Sequence, residues 1–267
     1  MSVLVVIPAR FASTRYPGKP LVPLTGADGV ARTLIEWTWL AGRSVRGVDR
    51  LVVATDDDRI AADCARFGAE VVMTSVDCAN GTERCADALA RMDGPEPEIV
   101  VNLQGDAPLT PPWFVEDLVA ALRAVPQAGV ATPVLRCDGR TLSAFREDRR
   151  AGRVGGTTAV FGAGGRALYF SKEVIPYTGR DYADDAATPV FHHVGVYAYR
   201  PAALAVYNEL SQGPLEQLEG LEQLRFLEHG HDVLCVEVQA RGRHFWELNN
   251  PEDVARIESI LGRLGPT

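Results

Sequence analysis

Short apolar runs separated by longer amphipathic stretches fill the first half of the sequence, and this alternation leaves few folds open. Val3–Ile7, Leu51–Ala54, Glu70–Met73, Ile99–Leu103 and Gly129–Leu135 read as strands. Runs so continuously apolar belong to strands covered on both faces, as in a parallel sheet. Between them Gly29–Gly42, Asp57–Phe67, Thr82–Met92 and Pro112–Ala124 read as helices, and in the first of these Val30, Leu34, Trp37 and Ala41 share one face. Each helix follows a polar or proline-containing start suited to an N-terminus. The pattern predicts βαβ units in an α/β fold, with a Rossmann-like, doubly wound, mostly parallel sheet.

The second half departs from this rhythm. Arg136 to Arg153 is polar and Arg-rich, and Gly156–Phe161, Ala167–Phe170 and His193–Tyr199 follow at hairpin-like spacing, the first two joined through Gly162-Ala-Gly-Gly165. Helices are expected at Pro201–Leu210 and Leu215–His229, a strand at Val233–Val238 and a closing helix from Pro251 to about Arg263. His229-Gly-His231 reads as a helix end and turn rather than a metal pair. We expect a single domain over residues 1–267 with a mixed-strand lobe inserted at residues 155–200.

Charge narrows the partners. A formal net charge of −8 argues against nucleic acid and anionic membranes, which need clustered excess Lys and Arg. A phosphate ligand needs only local cations. Cys64, Cys78, Cys85, Cys137 and Cys235 are odd in number and scattered, so they read as small buried hydrophobes in a reduced compartment. The N-terminal MSVLVVIPAR lacks a basic leader and reads as a strand, giving a cytoplasmic expectation. Of 27 cations only Lys19 and Lys172 are lysines.

Directly after the first strand stands Pro8-Ala-Arg-Phe-Ala-Ser-Thr-Arg-Tyr-Pro-Gly-Lys19-Pro. Open α/β sheets bind ligands at the carboxyl ends of their strands, and here that end offers Arg10, Arg15, Lys19 and backbone N–H groups, a set suited to a triphosphate. Neither the G-x-G-x-x-G nor the P-loop spacing occurs. Asp106, two residues beyond the Ile99–Leu103 strand and Gln104, places a carboxylate at a neighbouring strand tip, where Mg²⁺ takes one or two carboxylates besides phosphate oxygens.

The Ile7-Pro-Ala-Arg-x-x-Ser-Thr-Arg-x-Pro-Gly-Lys-Pro20 pattern resembles the CMP-3-deoxy-manno-octulosonate synthetases, a family of nucleotidyltransferases. Val53–Ile60, Gly81-Thr-Glu-Arg84, Val101–Asp106, Ala167–Ser171, His193–Tyr197 and Leu221–Arg225 match in order. The resemblance implies transfer of CMP from CTP to the anomeric hydroxyl of 3-deoxy-D-manno-octulosonate (Kdo) with pyrophosphate release, Mg²⁺ as cofactor, and a homodimer meeting through the lobe. It implies a triphosphate loop of Arg10, Ser13, Arg15, Gly18 and Lys19, with Pro8 and Ala9 bordering the cytosine and Arg84 and Gln104 at the nucleoside. Lys19, Asp106 and Arg10 are then the catalytic candidates. For the sugar it points to Lys172, Arg180, His193, Tyr197, Glu222 and Gln223, and for the metal to Asp106 and position 249.

This chain departs from the family pattern near the reaction centre. Asn249 stands where an Asp is usual, which removes a negative charge from the metal or recruits Glu247. Gly155-Gly-Thr-Thr-Ala-Val160 replaces a Val-Lys-Val strand, Lys172 replaces an Arg, and Ala107 replaces a Glu. The nucleotide half is thus intact and the sugar half altered. A nine-carbon ulosonic acid as acceptor, or a nucleotide-binding homologue with weak or no turnover, are the competing expectations.

Overall fold

A computed structural model describes residues 2–12, 16–154, 156–243 and 245–263. The four apolar runs at the start form parallel strands β1 (Val3–Ala9), β4 (Arg50–Thr55), β5 (Glu70–Met73) and β6 (Ile99–Leu103), ordered β5-β4-β1-β6. All residues of β1 and β6 are buried. Period-two alternation divides β1 between two layers. Val3, Val5 and Ile7 pack on α1 (Leu34–Arg43), α2 (Asp58–Arg66) and α4 (Pro112–Ala124), whereas Leu4 and Val6 face α3 (Gly81–Arg91), α6 (Pro201–Glu209) and α8 (Leu224–Glu228). This is the expected α/β arrangement.

Beyond β6 the sheet continues through antiparallel β11 (Val196–Tyr199) to β7 (Val130–Asp138), whose other edge carries parallel β12 (Val233–Glu237). The far half of β7 pairs with β10 (Ala187–His193), β10 with β8 (Thr157–Phe161) and β8 with β9 (Ala167–Ser171), all antiparallel. These three strands build the lobe. Because the chain winds outward from β1 through β4 to β5, and resumes on β1's other side at β6, the order reverses between β1 and β6. A crevice opens there at the strand tips.

Several elements differ from the sequence expectation. The helix expected from Gly29 starts only at Leu34, because Ala31–Thr33 (β3) pairs with Pro23–Thr25 (β2) in a hairpin and Thr33 then caps the helix, accepting from the Glu36 N–H. The polar stretch after Arg136 holds the end of β7 and helix α5 (Gly139–Arg150), capped by Asp138 and seated through Leu142 and Phe145. The helix expected over Leu215–His229 is split into α7 (Pro214–Glu219) and α8 by Gly220, whose φ of 59° is left-handed. The closing helix is α9 (Asp253–Leu261). Gly230, at φ 77°, makes the turn expected after His229.

Candidate active site at the strand tips

The tips of β1 and β6 approach closely because position 105 is glycine: a Cβ there would stand 2.6 Å from the Pro8 carbonyl oxygen. Lys19, just past left-handed Gly18 (φ 72°), reaches across to Asp106 with Nζ 2.5 Å from Oδ2. Both line a cavity of about 220 Å³ together with Pro8, Ala9, Arg10 and Gln104. The structure therefore brings the β1 loop and the β6 tip into one site. Ser13 and Arg15 lie outside the described residues.

Arg84 also borders this cavity, yet it is only 3% exposed, and its Nη1 donates to Thr74 Oγ1 at 2.6 Å and lies 3.5 Å from Asp56. It ties α3 to the end of β5. Cys78 lines the cavity half-buried, unlike the other four cysteines, which are buried as expected. Burial raises the Cys78 thiol above its ordinary value, which keeps it out of its nucleophilic thiolate form.

Glu222, which the resemblance places at the sugar, sits instead between the start of α3 and Gln104. Its carboxylate accepts from the Thr82 N–H (3.0 Å) and from Gln104 Nε2 (3.1 Å), so it caps the start of α3 and fixes Gln104 at once. Burial raises its pKa, opposed by those two donors. Glu216 is buried and forms a two-bonded pair with Arg225 at 2.8 Å each. Glu219 accepts from Ser171 Oγ and the Lys172 N–H.

A second cavity, about 890 Å³, opens between the lobe and residues 240–260. Lys172, His193, Tyr197 and Asn249 line it, as does Gly195 in the break between β10 and β11. His193 is 4% exposed and both ring nitrogens are engaged, Nε2 with Thr132 Oγ1 at 2.9 Å and Nδ1 with Thr157 Oγ1 at 3.2 Å. Desolvation lowers its pKa to about 3, so the ring is neutral. Tyr197 donates to Gln223 Oε1 at 3.0 Å. Arg180 is not brought to this cavity: it is exposed and lies over the Tyr182 ring at 4.8 Å. Arg136, Arg243 and Arg256 line the cavity instead. Sequence reasoning missed them, because no local motif marks them and they arrive from β7 and the C-terminal segment.

The two cavities share a wall. A Cβ on Gly195 would lie 3.9 Å from Gln104 Cγ, and the Leu248 N–H donates to the Asp106 carbonyl at 2.9 Å. Among the described residues no three His, Cys, Asp or Glu side chains cluster for a metal. On one side of this wall the Asp106 carboxylate lines the smaller cavity, and on the other Glu247 and Asn249 line the larger one, offering carboxylate and amide oxygens. That set suits a hard cation such as Mg²⁺, which completes its shell with substrate phosphates and water.

A cytidylyltransferase family profile matches residues 4–233. The 3-deoxy-manno-octulosonate cytidylyltransferase of Maricaulis maris (strain MCS10) is 44% identical over 265 residues, covering 99% of both chains. The chain belongs to that family. A second 3-deoxy-manno-octulosonate cytidylyltransferase, from Chlamydia pneumoniae, is 41% identical, covering 96% of this chain and 92% of its own. The solved structure of a CMP:2-keto-3-deoxy-manno-octonic acid synthetase complexed with CTP superposes with a TM-score of 0.82 at 31% identity, covering 98% of this chain and 99% of that one. Membership makes this chain a nucleotidyltransferase of the CMP-Kdo synthetase type.

Proposed function

We propose that this chain transfers CMP from CTP to the anomeric hydroxyl of Kdo, releasing pyrophosphate. The observation that carries the reading is the pairing of two cavities of different character at one wall: a small one holding Lys19, Arg10 and Asp106, and a larger one with Lys172 and Tyr197. In the reaction the anomeric oxygen bonds to the α-phosphorus, the bond to the bridging β-phosphate oxygen breaks, and the hydroxyl proton is lost. No covalent enzyme intermediate is required; alignment and charge neutralisation suffice.

In this reading Arg10 and Lys19 receive the triphosphate, with Lys19 leaving Asp106 for the departing pyrophosphate. Pro8 and Ala9 border the cytosine, and Gln104, held by Glu222, faces the nucleoside. Arg84 acts as a positioning residue. Asp106, with an oxygen from the 247–249 segment, would hold a Mg²⁺ ion, which would supply further neutralisation of phosphate charge. Lys172 gives the sugar carboxylate a point charge in place of an arginine fork. His193, with both nitrogens engaged, shapes the cavity wall. We further infer a homodimer meeting through the lobe, supported by the exposed Leu168 on edge strand β9. A cytoplasmic setting belongs to the same reading, since CTP is held there. Among the described residues no helix is long and apolar enough to cross a membrane.

The test is pyrophosphate release with CTP, Kdo and Mg²⁺ present together and each omitted in turn. Release that needs all three is expected. A panel of eight-carbon ulosonic acids that all give no release would sink the proposal, and release with a nine-carbon acid alone would reassign the acceptor.

A further inference from the structure

Residues 245–250 close the back of the site, and their folding decides which side chains face it. Leu248 is fully buried in the small core made by Leu24, Leu34, Trp37 and Ile257, and its N–H is bonded to the Asp106 carbonyl. The residues on either side, Glu247 and Asn249, both line the larger cavity. Of the other acids in the segment, Glu252 is exposed and Asp253 is committed elsewhere: its Oδ2 accepts from the Asn249 and Asn250 N–H groups at 2.9 and 2.7 Å, and its Oδ1 from Trp246 Nε1 at 2.8 Å. It holds the loop with both carboxylate oxygens.

Position 249 therefore brings a neutral amide to the wall behind Asp106, while the charged group in this segment stands two residues earlier. Glu247 Oε1 lies 3.2 Å from the point a Cβ of Gly195 would occupy, and Gln104 Cγ lies 3.9 Å from that same point. The missing side chain at Gly195 thus gives the carboxylate room at the junction of the two cavities, beside the strand tip that carries Asp106. Asp106 is itself paired to Lys19, and a second carboxylate adds to the charge count that sets affinity for hard cations.

We propose that Glu247 supplies the second carboxylate of the divalent-cation site, replacing a function that position 249 lacks in this chain. The proposal rests on the CMP-transfer reading for the presence of the cation. It is tested by Mn²⁺ binding, read as loss of the free-ion electron paramagnetic resonance signal, with CTP present and no acceptor, so that no turnover occurs. Glu247→Gln should weaken Mn²⁺ binding by roughly tenfold or more, and adding Asn249→Asp should return it to within about threefold of the starting protein. Calorimetric binding of metal-free CTP should be unchanged in Glu247→Gln, and Glu247→Asp should retain most of the Mn²⁺ affinity, which separates lost charge from lost folding. A loss smaller than tenfold, or failure of Asn249→Asp to rescue, overturns the proposal. So does an increase in acceptor KM alone, which would place Glu247 on the sugar. Failure of the unmodified protein to release pyrophosphate with any ulosonic acid would instead remove the CMP-transfer reading, and the Mn²⁺ titration would still report on Glu247.

Discussion

Asp106 and Lys19 hold each other at 2.5 Å across the gap between β6 and the β1 loop, and in the proposed reaction substrate would separate them. Asp106→Asn should lower pyrophosphate release by about 10²–10³-fold, the size expected when a preorganised charge at the transition state is lost. The thermal midpoint should shift little, since the pair is partly solvated. Near-normal turnover in that variant would show the carboxylate to be dispensable. Both residues were legible in the sequence, because a loop directly after a buried strand and a carboxylate two residues past Gln104 must emerge at strand tips. His193 was legible only as present. Its pairing with Thr132 and Thr157 depends on β7 and β8 lying on either side of β10.

That pairing has a pH consequence. The folded His193 has a pKa near 3, against an ordinary 6.5, so between those values the unfolded chain binds a proton that the folded chain does not. Stability should therefore fall as pH drops from about 6.5 toward 3, by at most about 1.4 kcal/mol per pH unit from this residue. His193→Gln, which cannot take up the proton, should flatten that acid slope in urea titrations at pH 7 and pH 4.5. An unchanged slope would mean that the ring does not resist protonation.

At the scale of elements, the packing of α7, α8 and α3 depends on Arg225, which is buried between Glu216 of α7 and Glu83 of α3. Arg225→Ala should cost about 3–5 kcal/mol in denaturant unfolding, because Glu216 is left charged and buried without a partner. A loss below about 1 kcal/mol would show that Glu216 finds water or takes up a proton instead. The sequence pattern shows one acidic helix here, and Gly220 is what breaks it. Only the break swings Glu222 away from Glu216 and Glu219, so that it can cap α3 and hold Gln104. Helix α5 was hidden for a related reason: its composition is polar, and it is stabilised by an Asp138 cap and a short apolar face that docks on the lobe. Periodicity in a stretch so charged carries little signal.

For the whole molecule, the reversal of strand order between β1 and β6 fixes where the crevice opens, and the lobe beyond β7 fixes the second cavity. If the lobe also joins two copies, Leu168→Glu on β9 should convert a dimer to a monomer in light scattering, since it places a charge on an exposed apolar edge position. A dimer that persists would move the interface off this face. Arg180, expected at the sugar, marks the limit of motif reading in this half: it lies in the segment between β9 and β10, which no hydrophobic period constrains, and it ends exposed over Tyr182.

The sequence by itself determined the buried parallel strands, the helices between them, the family and the residues at the strand tips. Each of these follows from local order along the chain: a strand's burial shows in its own composition, and a loop that leaves it must emerge at its end. Tertiary structure alone decided which side chains meet from distant segments. Glu222 on the start of α3, and Arg136, Arg243 and Arg256 around the larger cavity, all depend on contacts between residues far apart in sequence, and such contacts leave no periodicity to read.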